Sequence, residues 1–169
     1  MSIVVSAYYS HLRTHPIESW DSLADQRHVL MSVDKDVGMA ITFAFLESRR
    51  FQPETNGPLY DISAWNYDDP RIVTLRMEDI TSNISGFFNL LSQTELLRNA
   101  VMPDPVSFLF SSITGRRQGE IDLSSHYRCG SGSEWREALP TGIILYLSRH
   151  YNDFLLKFYP EVLLERPAG

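Results

Sequence analysis

The sequence contains a single cysteine, Cys129, among 169 residues, which excludes an internal disulfide and a zinc site built from several cysteines. Basic residues are few: 15 Lys and Arg stand against 21 Asp and Glu, a net charge of −6. Binding to nucleic acid or to an anionic membrane through bulk positive charge is therefore not expected. No apolar run reaches the roughly 18 residues that a membrane-spanning helix needs, and the N-terminal residues do not resemble a signal peptide. These absences favour a reducing, cytoplasmic compartment.

Two common nucleotide-binding motifs are also absent. The sequence contains neither G-x-x-x-x-G-K-[ST] nor G-x-G-x-x-G, the glycine-rich patterns that hold phosphates in many nucleotide-binding proteins. Internal repeats and low-complexity tracts are missing too. Hydrophobic residues make up 43% of the chain, and this length suffices for one hydrophobic core. A single domain over residues 1–169 is predicted.

The clearest periodic patterns predict helices. Residues 34–50 begin with Asp34 and Asp36, and acidic side chains suit the positive end of the helix dipole. The middle of this segment is apolar on nearly every side, so the helix is expected to need cover on more than one face. Residues 141–159 repeat apolar side chains with a period near 3.6, which predicts one long C-terminal helix.

Two shorter helices are expected between these segments. Apolar residues spaced three and four apart predict a helix over residues 80–91. Asp104 followed by Pro105 is typical of an N-cap with proline in the first helical position. A helix is therefore predicted to start at Pro105.

Ile72–Arg76 is the best strand candidate. It follows Pro70, is rich in β-branched residues and forms a short apolar run, as buried parallel strands do. A single strand is not stable alone, because its backbone N–H and C=O groups need neighbouring strands. We therefore expect either further strands or a sheet that another chain completes.

Residues 114–136 differ in composition from the rest of the chain. They hold four of the nine glycines and four arginines. The arginine guanidinium matches phosphate or sulfate oxygens, and glycine lets backbone N–H groups approach an anion closely. From composition alone a solvated surface loop without a ligand is the preferred interpretation, and a loop that binds a phosphorylated ligand is the alternative.

Other polar residues give weaker signals. His11 and His15 are spaced four apart, as metal ligands on one helix face can be, but Pro16 follows and no third ligand has a recognisable spacing. We therefore predict histidines without a metal. Glu78 and Asp79 are interpreted as acids at a helix start rather than as a catalytic carboxylate pair.

Three segments together carry a family pattern. The first runs Gly-Arg-Arg-Gln-Gly-Glu over residues 115–120 and continues as Tyr-Arg-Cys-Gly over 127–130 and Gly-Ser-Glu-Trp-Arg over 132–136. It resembles the late cofactor loop of the nucleotide-dependent sulfotransferases, Arg-Lys-Gly, two residues, then Gly-Asp-Trp, with Cys129 in place of the lysine. The resemblance implies nucleotide contacts from Arg116, Arg117, Arg128, Cys129 and Gly130.

The other two segments lie earlier in the chain. Residues 3–11, Ile-Val-Val-Ser-Ala-Tyr-Tyr-Ser-His, are similar to the end of the family's 3′-phosphate motif and place Ser6 at the serine that touches this phosphate. Residues 72–79, Ile-Val-Thr-Leu-Arg-Met-Glu-Asp, look like the strand and the Tyr-Glu-Asp turn beside the adenine. Met77 replaces the aromatic residue there and is the implied contact to the base.

The resemblance implies a fold and an activity. The fold would be α/β and P-loop-NTPase-like, here as a truncated, mainly helical portion with few parallel strands. The activity would be transfer of a sulfuryl group from 3′-phosphoadenosine 5′-phosphosulfate (PAPS) to a hydroxyl or amine of a small-molecule acceptor, leaving adenosine 3′,5′-bisphosphate. The family's first phosphosulfate loop and its histidine base have no counterpart here, so the chain is expected to be incomplete as a catalyst.

Two other functions stay open. The chain can be a non-catalytic module that keeps nucleotide binding, or a helical interaction subunit. In each case an oligomer or a complementing chain is expected, because the single strand and the apolar helix need partners. Nucleic acid, membranes and metals are not expected as partners.

Overall fold

Helices account for the regular structure of this computed structural model, which describes residues 1–20, 22–49, 55–95 and 97–164. No helix among these residues is long and apolar enough to cross a membrane. A π-helical turn, Ser10–Thr14, continues the first helix, and short 3₁₀ turns occur at Ile17–Ser19 and Pro105–Phe108. The helices are α1 Ser2–Tyr9, α2 Leu23–Ser32, α3 Lys35–Leu46, α4 Pro58–Ala64, α5 Met77–Ser82, α6 Ile84–Gln93, α7 Phe110–Thr114, α8 Trp135–Ala138, α9 Thr141–His150, α10 Asn152–Phe158 and α11 Pro160–Leu164.

The expected α/β, P-loop-NTPase-like fold with parallel strands is wrong. The described residues contain no strand, and Ile72–Arg76, the predicted one, forms neither a helix nor a sheet. The high β-propensity of this segment describes how well it fits a pleated, half-buried surface. No neighbouring strand in the described part of the chain provides that surface, so the propensity is not realised.

The predicted helix over residues 34–50 is confirmed in its first part and is shorter than expected. Asp34 caps α3: its Oδ1 accepts a hydrogen bond from the Val37 N–H at 3.0 Å. The helix ends at Leu46, and Arg50 lies outside the described residues. Val37 is 45% exposed, so part of the apolar surface of α3 is uncovered.

The other predicted helices are interrupted. The segment over 80–91 is split into α5 and α6 at Asn83, whose side chain accepts a hydrogen bond from the Gly86 N–H and so caps α6. The segment over 141–159 is split into α9 and α10 at Tyr151, which leaves the helical conformation with φ −105° and ψ 27°. The N-cap at Asp104 is confirmed, with Pro105 next, although the turn that it starts is 3₁₀.

The chain divides into two compact units. The first comprises the described residues of 1–66, 123–126 and 133–164, and the second comprises 67–122 and 127–132, without residue 96. The first unit contains one hydrophobic core, supplied by α1, α2, α3, α4 and the C-terminal helices. Its buried members are Val4, Val5, Tyr8, Leu30, Met39, Leu46, Leu59, Trp135, Ala138, Leu139, Ile143, Leu147, Tyr151 and Leu155.

The second unit is packed much more openly. Among its described residues Cys129 is the one buried apolar side chain. Large apolar side chains stay in solvent: Val73 is 76% exposed, Met77 66% and Val101 98%. Because burial of apolar surface is the main driving force of folding, this unit depends more on local hydrogen bonds.

Candidate functional site

The arginine- and glycine-containing stretch of the second unit folds back on itself. The Gly119 N–H donates to the Cys129 carbonyl at 2.8 Å, and the Asp122 N–H donates to the Arg128 carbonyl at 2.9 Å. These bonds join residues 115–122 to residues 127–132, and we call the two segments together the Arg-Gly loop. The loop is therefore an ordered structure rather than a freely solvated one.

Arg116 organises the Arg-Gly loop from inside. Its Nη1 donates to the carbonyls of Glu120 at 2.9 Å and Arg128 at 3.0 Å, and its Nη2 donates to the carbonyl of Tyr127. Hydrogen bonds from a charged donor are among the stronger ones in proteins. Since these donors are used inside the loop, Arg116 acts as a positioning residue rather than as a phosphate contact.

Phe110 of α7 packs against both sides of the loop. The Arg116 guanidinium lies over its ring at 5.2 Å from the centroid. On the other side, a Cβ placed on Gly130 would come within 2.5 Å of the Phe110 ring. Gly130 also has φ +66°, a left-handed conformation that glycine adopts without strain. Gly130 is therefore required both by the backbone and by the close approach of Phe110.

We expect Gly130→Ala to disrupt the loop far more than Gly115→Ala. Both glycines have positive φ, but a Cβ at Gly115 meets nothing within 4 Å. Gly115→Ala therefore reports the cost of the backbone conformation alone, about 1 kcal/mol, whereas Gly130→Ala adds the collision with Phe110. Hydrogen exchange of the Gly119 and Asp122 amides measures the difference. Equal exchange rates in the two variants would contradict this packing.

An open cavity of about 280 Å³ lies beside the loop, within the second unit. Its walls come from α5 and from the Arg-Gly loop. This volume is just below the range of about 300–1,000 Å³ that is usual for small-molecule sites. The lining residues are Glu78, Thr81, Ser82, Gln118, Gly119, Gly130, Ser131 and Gly132.

One wall of the cavity is acidic, and two arginines are close in sequence to residues that line it. Glu78 faces the glycine segment, with its Oε1 3.4 Å from the place of a Cβ on Gly132. Arg117 precedes the lining residue Gln118, and Arg128 lies two residues before the lining residue Gly130. A carboxylate repels an anion and accepts from hydroxyl or amino groups. The acidic wall therefore suits hydroxyl or amino groups of a ligand.

The predicted site residues are placed in different surroundings. Met77 is the first residue of α5 and is mostly exposed, directly before Glu78. Cys129 is a buried free thiol, 6% exposed, and does not line the cavity. Ser6 lies on α1 in the first unit and is exposed. The second unit thus contains all the predicted nucleotide contacts except Ser6.

The first unit contains a histidine cluster that the sequence did not predict. The His15 ring lies 5.6 Å from the His11 ring and 5.4 Å from the His126 ring, between centroids, and Trp20 packs edge-on at 5.0 Å from His11. Arg27 joins the turn by donating to the carbonyls of His11 at 2.7 Å and His15 at 2.6 Å. The spacing of four residues between His11 and His15 was the available signal.

Burial decides the charge of this cluster. Loss of solvation, together with the nearby His15 and Arg27, lowers the pKa of His11 to about 4. Burial also lowers the pKa of His15, with help from His126 and Arg27. Both rings are therefore neutral at pH 7. Within the described residues, no group of three histidine, cysteine or acidic side chains is arranged to hold a metal ion.

A second polar cluster of the first unit is held by Glu47, directly after α3. Its carboxylate accepts hydrogen bonds from the hydroxyls of Tyr151 at 2.9 Å and Tyr146 at 3.2 Å, and His150 lies 3.9 Å away. Burial and the carboxylate raise the pKa of both tyrosines. Because roughly a hundred residues separate the partners, sequence periodicity contains no signal for this contact. It links α3 to the C-terminal helices.

Comparison with known proteins adds no family assignment. No family model, no curated protein and no solved structure matches the chain.

Proposed function

We propose that this chain is the nucleotide-binding part of a PAPS-dependent sulfotransferase. In this proposal the Arg-Gly loop binds the 3′-phosphate of PAPS or of adenosine 3′,5′-bisphosphate, and the adjacent cavity takes the nucleoside. One observation supports this proposal most strongly. Hydrogen bonds from Arg116 order the Arg-Gly loop, and an open cavity lies beside this loop. The segments that resemble the family's cofactor loop and adenine turn form the two walls of this one cavity.

The charges of the site support one orientation of the ligand. Arg117 and Arg128 supply guanidinium groups with the fork geometry that phosphate oxygens accept. Glu78, a lining residue from α5, suits the hydroxyl and amino donors of a ribose and an adenine. We therefore place the phosphate toward the arginines and the nucleoside toward α5.

The chemistry proposed for the complete enzyme is sulfuryl transfer. A base removes the proton from an acceptor hydroxyl or amine, the acceptor oxygen or nitrogen bonds to sulfur, and the bond from sulfur to the leaving phosphate breaks. Within the described residues we assign no base and no group that stabilises the leaving phosphate. A complementing chain or segment is proposed to supply them, together with part of the pocket for a small-molecule acceptor. We place this activity in the cytoplasm, where the free thiol of Cys129 stays reduced.

The alternative is a nucleotide-binding or helical interaction subunit without catalysis. The exposed apolar side chains of the second unit favour it, because such surface is typical of interaction sites. A radiolabelled sulfate-transfer assay with phenols, alcohols and amines distinguishes the two functions once a complementing chain is added. Nucleotide binding without any transfer supports the alternative.

Arg128→Ala is expected to weaken binding of adenosine 3′,5′-bisphosphate about tenfold or more. One charge-assisted hydrogen bond contributes about 1.5–3 kcal/mol, and about 1.4 kcal/mol corresponds to a factor of ten in affinity. Titration calorimetry of the full chain measures the change. The matched control is Arg98→Ala, an exposed arginine of the same unit that is not part of the Arg-Gly loop. Equal affinities of the two variants would refute the role of Arg128.

A further inference from the structure

Asn56 precedes Gly57 and forms the one Asn-Gly pair of the sequence. Every other asparagine precedes a residue with a side chain, namely Tyr, Ile, Leu, Ala or Asp. The side-chain amide carbon of an asparagine lies within reach of the backbone nitrogen of the next residue, and glycine leaves that nitrogen the least hindered. Asn56 is also exposed, so water reaches it. The pair is therefore the place where this chain can most readily attack one of its own side chains.

The fold itself requires the glycine of this pair. A Cβ on Gly57 would collide with the carbonyl oxygen of Leu46, a backbone atom at the end of α3. A residue with a side chain would fit only if α3 or α4 moved. The reactive pair therefore lies at a close contact of two helices within the first unit.

Two hydrogen bonds hold the pair in an unreactive arrangement. The Gly57 N–H donates to the Ser48 carbonyl at 2.7 Å, and the Asn56 Nδ2 donates to the Asp61 Oδ1 at 3.0 Å. The Gly57 nitrogen becomes a nucleophile only after a base has removed its proton, and this proton is engaged by the Ser48 carbonyl. The attack also needs one side-chain orientation, and the bond to Asp61 restricts rotation of the Asn56 amide.

We propose that Asn56 is a site of spontaneous deamidation that the folded chain protects and that unfolding exposes. Hydroxide takes the proton of the Gly57 nitrogen, and this nitrogen bonds to Cγ of Asn56. The bond from Cγ to the side-chain nitrogen breaks, and that nitrogen takes a proton from water and leaves as ammonia. One water molecule then opens the cyclic imide at either of its two carbonyl carbons. The product is an aspartate or an isoaspartate at position 56.

The isoaspartate product changes the junction of α3 and α4 permanently. It adds one methylene to the backbone directly before Gly57, which packs against backbone atoms of Leu46 without spare space. It also replaces the amide donor by a carboxylate, which cannot donate to Asp61 and is repelled by it. A chain with isoaspartate is therefore expected not to restore the bond from Gly57 to Ser48. The inference does not depend on nucleotide binding.

Peptide mapping by mass spectrometry tests the protection. The natural chain is kept at pH 8 and 37 °C, either folded or unfolded in urea, and deamidation of Asn56 is followed over time. Because the reaction requires local opening, Asn56 should react about tenfold or more slowly in the folded chain. A free peptide of residues 52–60 is the control and should react equally with and without urea. Equal rates in the folded and unfolded chain would refute the protection, and no reaction in urea would refute the site.

Hydrogen exchange tests the effect on the fold. After partial reaction in urea the chain is refolded, and the isoaspartate fraction is separated from the unreacted fraction. The Gly57 amide should exchange about tenfold or more rapidly in the isoaspartate fraction, because its bond to Ser48 is lost. The Gly119 amide, which donates to the Cys129 carbonyl in the second unit, is the control and should exchange equally in both. Equal exchange of the Gly57 amide would overturn the proposed change at the α3–α4 junction.

Discussion

Gly57→Ala is expected to destabilise the first unit by about 3 kcal/mol or more, near the upper end of what overpacking costs. A Cβ on Gly57 would lie 2.0 Å from the Leu46 carbonyl oxygen and 2.5 Å from its carbon. These are backbone atoms at the end of α3, so no side-chain rotation relieves the collision. The Gly57 N–H also donates to the Ser48 carbonyl at 2.7 Å, and moving the chain apart would lengthen that bond.

The control for this result is Gly142→Ala in α9. A Cβ there meets nothing within 4 Å, and alanine is the better helix former by about 0.5–1 kcal/mol. Urea unfolding should therefore show opposite signs for the two substitutions, a large loss at Gly57 and a small gain at Gly142. A loss at Gly57 no larger than the error of the method would mean that α3 and α4 are not joined as closely as described.

The second large expected effect concerns pH: His11 should make the folded protein less stable in acid. Its pKa is about 4 in the folded protein, against 6.5 for an ordinary histidine. Between these two values the unfolded chain binds more protons than the folded chain, so stability is full above pH 6.5 and falls as the pH drops toward 4. One pKa unit corresponds to 1.36 kcal/mol, so this group accounts for a loss of about 3 kcal/mol.

His11→Phe removes the titrating group and keeps a ring beside Trp20 and Phe45. Urea unfolding at pH 7.0 and pH 4.0 should show a clearly smaller loss of stability in this variant than in the natural chain. His28→Phe is the matched control, because His28 is exposed on α2. Carboxylates titrate in the same range in all three proteins, so the comparison isolates His11. An unchanged loss in His11→Phe would contradict the burial of this ring.

The sequence identified those helix ends that local chemistry determines. Asp104 was predicted as an N-cap and Asp34 as an acidic residue at a helix start, and both side chains accept a hydrogen bond from the backbone of the turn that they start. The break at Asn83 has the same kind of signal, an N-cap side chain in the middle of an apolar pattern, and it was missed. The break at Tyr151 has no local signal, because the partner of its hydroxyl is Glu47.

The prediction of a strand at Ile72–Arg76 was wrong although its local signal was clear. Its residues have the right local preference, but a strand also needs a neighbouring strand, and composition does not show whether one exists. The role of Arg116 was also missed. The sequence alone does not distinguish an arginine that donates to loop carbonyls from an arginine that binds phosphate. The neighbourhood of Arg128 and Gly130 was predicted from the family resemblance, and its ligand stays a prediction.

The dependence on the 3′-phosphate tests the proposed function most directly. Calorimetric titration of the full chain with adenosine 3′,5′-bisphosphate and with adenosine 5′-monophosphate compares two ligands that differ in this one group. If Arg128 and the Arg-Gly loop bind the 3′-phosphate, the bisphosphate should bind at least tenfold more tightly, as expected for one charge-assisted contact. Equal affinities, or no binding of either nucleotide, would contradict the assignment of the loop as a PAPS site.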